Sequence, residues 1–299
     1  MLAAPALMPV LGWSDPPVDP LFATDLRPPA PAVTEADTYA PAVAEPKPSQ
    51  LEPEANPEPE PAALPDSEPV LAPRFAEQQA IATCQTDLLQ RLNGVKIEYE
   101  AEIKSLSVDS TRWLQRVDDG QWQLQSRAEW LFMSIHEKSV FNWPDWHLAS
   151  YQHERKGMSS KQNVAVTVDY DQGRFFADAR NEVREYDFDG QLFDDLNHQL
   201  KLQLDVACQP EQQVFTYLIA KRKGPREYRY ERVGMEEIST EAGKINAIKL
   251  EKLDDDRTTY VWLAPEMGYI IVKLLFAEDG ERNTLSIKRS PNLNPEPAR

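Results

Sequence analysis

The chain has 299 residues, 49 acidic and 32 basic, with a formal net charge of −17, and its composition divides it into two unlike parts. Met1 to Pro73 holds 18 of the 25 prolines, one of the 11 glycines and 12 acidic against 2 basic residues, too little apolar surface to offset the entropy of ordering. From Arg74 onward Lys and Arg are scattered along alternating segments and form no basic patch, which removes the electrostatic footing for nucleic-acid binding.

Within the first part, Glu45-Pro46-Lys47-Pro48 through Glu58-Pro59-Glu60-Pro61 to Glu68-Pro69 alternates prolines of fixed φ with like charges. This pattern predicts a disordered Pro/Glu-rich arm over 1–73 that is extended and polyproline-like. Met1 to Trp13 is apolar but too short to cross a bilayer, and no Lys or Arg precedes it. It is either the end of an export signal or membrane tether begun upstream of Met1, or an apolar terminus. No later window is apolar for long enough to be a transmembrane helix.

A lead-in helix is predicted over 74–93, with Ile81, Leu88, Leu89 and Leu92 at helical spacing and a stop at Asn93-Gly94. From Val95 to Lys104 the period changes to two: Val95, Ile97, Tyr99, Ala101 and Ile103 share one face, Lys96, Glu98, Glu100, Glu102 and Lys104 the other. Strands are expected at Trp113–Val117 and Gln121–Trp130 around Asp118-Asp119-Gly120, then at Val164–Tyr170, Arg174–Phe176 and Val183–Phe188. Phe193 to Val206, with Leu192, Leu196, Leu200 and Leu204 spaced by four, is expected to be a helix whose first turn carries Asp194 and Asp195. Further strands follow at 214–220, 227–233, 245–253, 258–263, 269–276 and 284–288. Gly234 and Gly243 are expected to bracket a hairpin whose return strand is Lys244 to Leu253. About a dozen short strands with one packed helix over 94–290 make the domain mainly β, a curved antiparallel sheet or incomplete β-barrel, with a disordered tail at 291–299.

Cys84 and Cys208 lack the close spacing of metal or redox motifs. The helix carrying Cys84 must pack somewhere, and the helix ending before Cys208 offers the nearest apolar stripe, so the two cysteines are expected to pair in an oxidising compartment; two separate buried thiols are the alternative. The four histidines, His136, His147, His153 and His198, lie in no strong motif, and His136 and Glu137 should point to opposite faces of a strand. They are expected at the surface or rim, with no metal, no cofactor and no catalytic residues. The chain has no Gly-x-Ser-x-Gly elbow and no glycine-rich phosphate loop. Large rings are more numerous than a thin sheet needs, and Trp122, Trp130 and Trp262 are candidate ligand-binding residues, with core packing as the alternative.

Two stretches carry a resemblance to a known family. Gly234-Met235-Glu236-Glu237-Ile238-Ser239-Thr240-Glu241-Ala242-Gly243-Lys244-Ile245-Asn246-Ala247-Ile248-Lys249-Leu250 is similar to the strand, glycine turn and return strand of the exported bacterial proteins called domain of unknown function 3108. Trp262-Leu263-Ala264-Pro265-Glu266-Met267-Gly268-Tyr269 resembles the tryptophan strand and turn before that family's final hairpin, and the helix beginning Asp194-Asp195-Leu196-Asn197 sits where the family places one. The resemblance implies a periplasmic or cell-envelope β domain of half-barrel form, with no catalytic residues to carry over. The reading is a non-catalytic envelope domain that binds an apolar ligand, a lipid or lipoprotein. A tethered protein-interaction module is the alternative, and an enzyme the second alternative.

Overall fold

The computed structural model describes residues 71–103, 106–157, 162–180, 182–253, 258–278 and 281–295. The expected arm up to residue 70, the apolar Met1–Trp13 stretch and the end of the tail at 296–299 lie outside them. Contacts divide the chain into two units; Asp15–Ala72 is one, and the domain running from Pro73 belongs to the other.

The first helix, α1, spans Leu71–Leu92. It starts earlier than the composition break because Pro73 fits a first turn, where its missing N–H would have had no intrahelical acceptor. Eight strands then run as a meander: β1 Lys96–Ile103, β2 Leu106–Asp118, β3 Gln121–Trp130, β4 Met133–Asn142, β5 Leu148–Lys156, β6 Val164–Asp169, β7 Arg174–Ala179 and β8 Glu182–Asp187. A two-residue β9 (Leu192–Phe193) leads into the second helix, α2 (Asn197–Cys208). A second meander follows: β10 Val214–Lys221, β11 Gly224–Thr240, β12 Gly243–Lys252, β13 Thr258–Ala264, β14 Ile270–Glu278 and β15 Glu281–Ile287.

These strands form one sheet in the order β8-β7-β6-β5-β4-β3-β2-β1-β15-β14-β13-β12-β11-β10-β9. The meanders are joined by antiparallel pairing of β1 with β15, Ala101 opposite Leu285, and β9 lies parallel to β10. The end strands β8 and β9 do not pair, so the barrel stays open along one seam. Inside the curve sits α2, nine of whose residues are buried. Its Leu200, Leu202 and Leu204 join one core with Leu89 of α1, Tyr99 of β1, Phe141 of β4, Phe215 of β10 and Leu274 of β14. None of the helices among the described residues is long and apolar enough to cross a membrane.

Four expectations are corrected. First, β4 and β5 were not anticipated, nor was the first half of β2. Second, α2 begins at Asn197 and not at Phe193, because Leu192 and Phe193 pair with Leu218 and Ile219 of β10. Third, Gly234 does not border the hairpin turn, which lies between Thr240 and Gly243. It sits inside the 17-residue β11 at a register shift after Arg232, with φ of 141°, a bulge conformation open to glycine because it has no Cβ. Fourth, residues 291–295 run against α1 and do not trail free. Asn294 Nδ2 donates to the carbonyls of Gln90 and Asn93, its N–H to that of Arg91, and Leu293 packs on the core.

Candidate functional site

The three candidate tryptophans do not converge. Trp122 faces inward with 2% of its surface exposed, in a cross-strand row with Phe141 and Leu148. Trp130, at the far end of the same strand, is half-buried at the rim. Trp262 is 4% exposed, but its row partners are Lys249 and Lys273, whereas the neighbouring row of Leu250, Val261, Leu274 and Leu285 forms the core. Trp262 therefore lies on the outer face. The ammonium groups of Lys249 and Lys273 stand 5.3 and 5.4 Å from its ring centroid, and its Nε1 donates to Glu236 Oε2 at 3.2 Å. Cation–π contacts and the Glu236 hydrogen bond cover this ring.

Cys84 of α1 and Cys208, the last residue of α2, are disulfide-bonded with Cα atoms 5.7 Å apart. Beside them the buried carboxylate of Asp205 accepts from Gln85 Nε2 of α1 (2.8 Å), Tyr217 Oη of β10 (2.8 Å), Gln209 Nε2 (3.0 Å) and Lys201 Nζ. One side chain thus ties both helices to the sheet.

Sequence reasoning missed a polar row inside the barrel. The register aligns Arg112, Ser126, Glu137 and His153 across β2, β3, β4 and β5, all facing inward and all at most 7% exposed. Glu137 Oε1 accepts from Tyr151 Oη at 2.7 Å and stands 3.5 Å from His153 Nδ1. From the α2 side, Asp194 accepts from Ser139 Oγ and Asp195 meets Lys221 of β10. Burial and the nearby carboxylates Glu137, Asp195 and Asp194 push the Tyr151 hydroxyl far above its ordinary range. His153 and His198, expected at the surface or rim, are 5% and 0% exposed. His153 pairs across strands with Glu137, a partner sixteen positions away that no local motif reveals.

His198 reads its tautomer from its neighbours. The carbonyl of Asp194, 2.8 Å from Nδ1, can only accept, so Nδ1 carries the proton and Nε2 accepts from Tyr230 Oη at 3.0 Å. Burial lowers its pKa from 6.5 to about 3. Asp194 Oδ1 accepts the N–H groups of Leu196 (2.7 Å) and Asn197 (2.8 Å) at the start of α2. Burial raises its pKa from 3.8 to about 7 in spite of the lowering effect of those bonds and of Ser139.

The two shifts act in opposite directions. A raised folded pKa means that Asp194 contributes stability fully below pH 3.8, and that this is lost as pH rises toward 7. A lowered folded pKa means that the contribution of His198 is full above pH 6.5 and is lost as pH falls toward 3. Asp194→Asn keeps an acceptor for the α2 amides but cannot ionise. Its stability relative to the native chain is expected to rise between about pH 4 and about pH 8, which urea unfolding across that range measures; a constant difference would show that Asp194 does not titrate there.

The exposed apolar surface lies elsewhere. At the β3–β4 turn Leu131 is 82% and Phe132 77% exposed, and Leu131 holds φ of 49°, a left-handed conformation rare for such a side chain. The turn is braced from behind by Gly157, where a Cβ would stand only 2.3 Å from the Phe132 carbonyl oxygen. The structure thus presents the two side chains to solvent on a supported turn.

Comparison with solved structures finds alignments at low sequence identity. A β-barrel-like protein of domain of unknown function DUF1849 from Brucella abortus aligns at 7% identity over 68% of this chain and 99% of its own, with a TM-score of 0.46. The lipoprotein LppX of Mycobacterium tuberculosis aligns at 12% identity over 74% and 98%, TM-score 0.22, and the hypothetical lipoprotein YmcC of Escherichia coli at 8% over 78% and 100%, TM-score 0.27. No curated protein matches the sequence. The family described as Protein of unknown function (DUF3108) matches residues 102–284, more than half of the chain and all of the sheet but most of β1 and the end of β15, and the chain belongs to that family.

Proposed function

We propose that this is a non-catalytic domain of the bacterial cell envelope that docks on an apolar envelope surface, a lipid layer or a lipid-bearing lipoprotein, through the β3–β4 turn. The observation that carries this reading is the placement of apolar surface: α2 occupies the inside of the curve, while Leu131 and Phe132 stand together in solvent. The inward-facing Glu137, His153 and Asp194 are sealed from solvent, a placement that suits tying α2 to the sheet better than meeting a substrate. The Cys84–Cys208 bond supports an oxidising compartment. A protein partner would add instead to β8, an end strand of the sheet with Val183 62% exposed.

Co-sedimentation with phospholipid vesicles tests the reading. Burying a large apolar side chain is worth about 1.5–3 kcal/mol, so Leu131→Ser/Phe132→Ser is expected to weaken vesicle binding at least tenfold without lowering the melting temperature. Equal binding by the double variant and the native chain would remove the turn from the function.

A further inference from the structure

Among the described residues, Arg112 is a buried cation with no carboxylate in ion-pair contact. It lies mid-strand on the inner face of β2, between the inward positions of Ser110 and Leu114. A guanidinium stays charged in a protein, and taking it out of water is costly unless an opposite charge and hydrogen bonds replace the solvent. Its Nε and Nη2 are both buried without a hydrogen-bond partner. Glu137, the carboxylate in the same row, lies two strands away, where it accepts from Tyr151 and stands beside His153. Asp205 of α2 is engaged by Gln85, Tyr217, Gln209 and Lys201. The Tyr99 ring faces the guanidinium at 6.0 Å, the outer limit of cation–π attraction.

The same side chain borders a cavity of about 20 Å³ between β1, β2 and β3 on one side and α2 on the other. Leu92, Ile97, Leu114, Leu124 and Leu200 supply apolar walls, and every lining residue except Trp113 is buried. Gln203 lines it from α2, and its Nε2 is also buried without a partner. Directly opposite Arg112 on β3, the Ser126 hydroxyl is a third unpartnered group, able to donate as well as accept. No carboxylate lines the cavity. A volume of about 10–15 Å³ holds one water, so the space takes a single species of about that size and is too small for a phosphate, a sulfate or a carboxylate-bearing molecule. Water could accept from both N–H groups, yet it would leave the buried charge unbalanced. A monatomic anion accepts from both and balances it.

We propose that this cavity is a binding site for one monatomic anion of the halide class, held by Arg112 of β2 and Gln203 of α2. The ion pins α2 to the first meander, as Asp205 pins it to α1 and β10. The site does not depend on the docking turn, because it lies in the interior.

Urea unfolding of the full chain at constant ionic strength, with sodium chloride exchanged stepwise for sodium gluconate, is the test. Screening of surface charges is then the same throughout. An anion that binds only the folded state raises the folding equilibrium constant in proportion to its concentration once it exceeds the dissociation constant. The native chain is therefore expected to gain about tenfold in that constant for each tenfold rise in chloride in this range. Arg112→Met keeps the length of the side chain and removes its charge; it is expected to show no such gain and to be the more stable of the two in gluconate, where it leaves no buried charge unbalanced. Equal stability of the native chain in chloride and gluconate, or the same gain in the variant, would overturn the site. Native crystals grown from bromide give a second measurement that does not need the variant to fold. An anomalous peak within hydrogen-bond reach of Arg112 Nε or Nη2 is expected, and a cavity holding water alone in those crystals would overturn the proposal.

Discussion

Replacing Cys84 and Cys208 together by serine is expected to lower the unfolding free energy by roughly 4–5 kcal/mol. The bond closes a loop of 124 residues, and in the chain-entropy model a loop of that length gives about this constraint on the unfolded chain. What then holds α1 is Leu88, Leu89 and Leu92 in the core and the Gln85–Asp205 hydrogen bond. These contacts suffice to seat the helix, so the variant should remain folded at a lower urea midpoint, and reductant should bring the native chain to the same value. A loss below about 1 kcal/mol would mean that the unfolded chain gains little freedom when the link is cut.

The second large effect is expected at the Asp195–Lys221 pair. Both side chains are buried, Lys221 at 5% exposure, and burial is the largest influence on Asp195, raising its pKa against the lowering effect of Lys221. Asp195→Ala takes away the carboxylate that Lys221 meets and is expected to cost about 3–5 kcal/mol, the usual penalty for breaking a buried pair from one side. Asp195→Ala combined with Lys221→Met removes both charges and should recover most of the loss. A double variant as unstable as the single one would show that packing, not charge, determines the cost.

The reach of the sequence can be judged strand by strand. Where one face meets the core and the other water, as in β1 with Ile97, Tyr99 and Ala101 against Glu98, Glu100 and Glu102, the period of two was plain. The same holds for β3, whose limits of Gln121 and Trp130 were read correctly. In β4 and β5 the inward positions include Glu137, Ser139, His153 and Arg155. Polar residues on the buried face erase the binary pattern, so β4 and β5, the two strands that bring Glu137 and His153 into the internal polar row, escaped notice. The face of Trp262 was hidden for the opposite reason. Val261 through Ala264 are all buried, without alternation, and the register shifts after Trp262, so periodicity could not assign its face. The DUF3108 resemblance did not depend on these patterns; it rested on the glycine turn and the tryptophan strand of the second meander.

The pairing of β1 with β15 sets the order in which this domain can form. Each meander is built from neighbours in the chain and can zip by local hairpins, whereas the bond row between Tyr99 and Ile287 joins residues 188 positions apart and must wait for a long loop to close. A chain that emerges from its N-terminus thus leaves β1 with an open edge until the last strand has been delivered. Escort by a chaperone over that interval would matter more for this protein than for one whose first strand pairs only with its second.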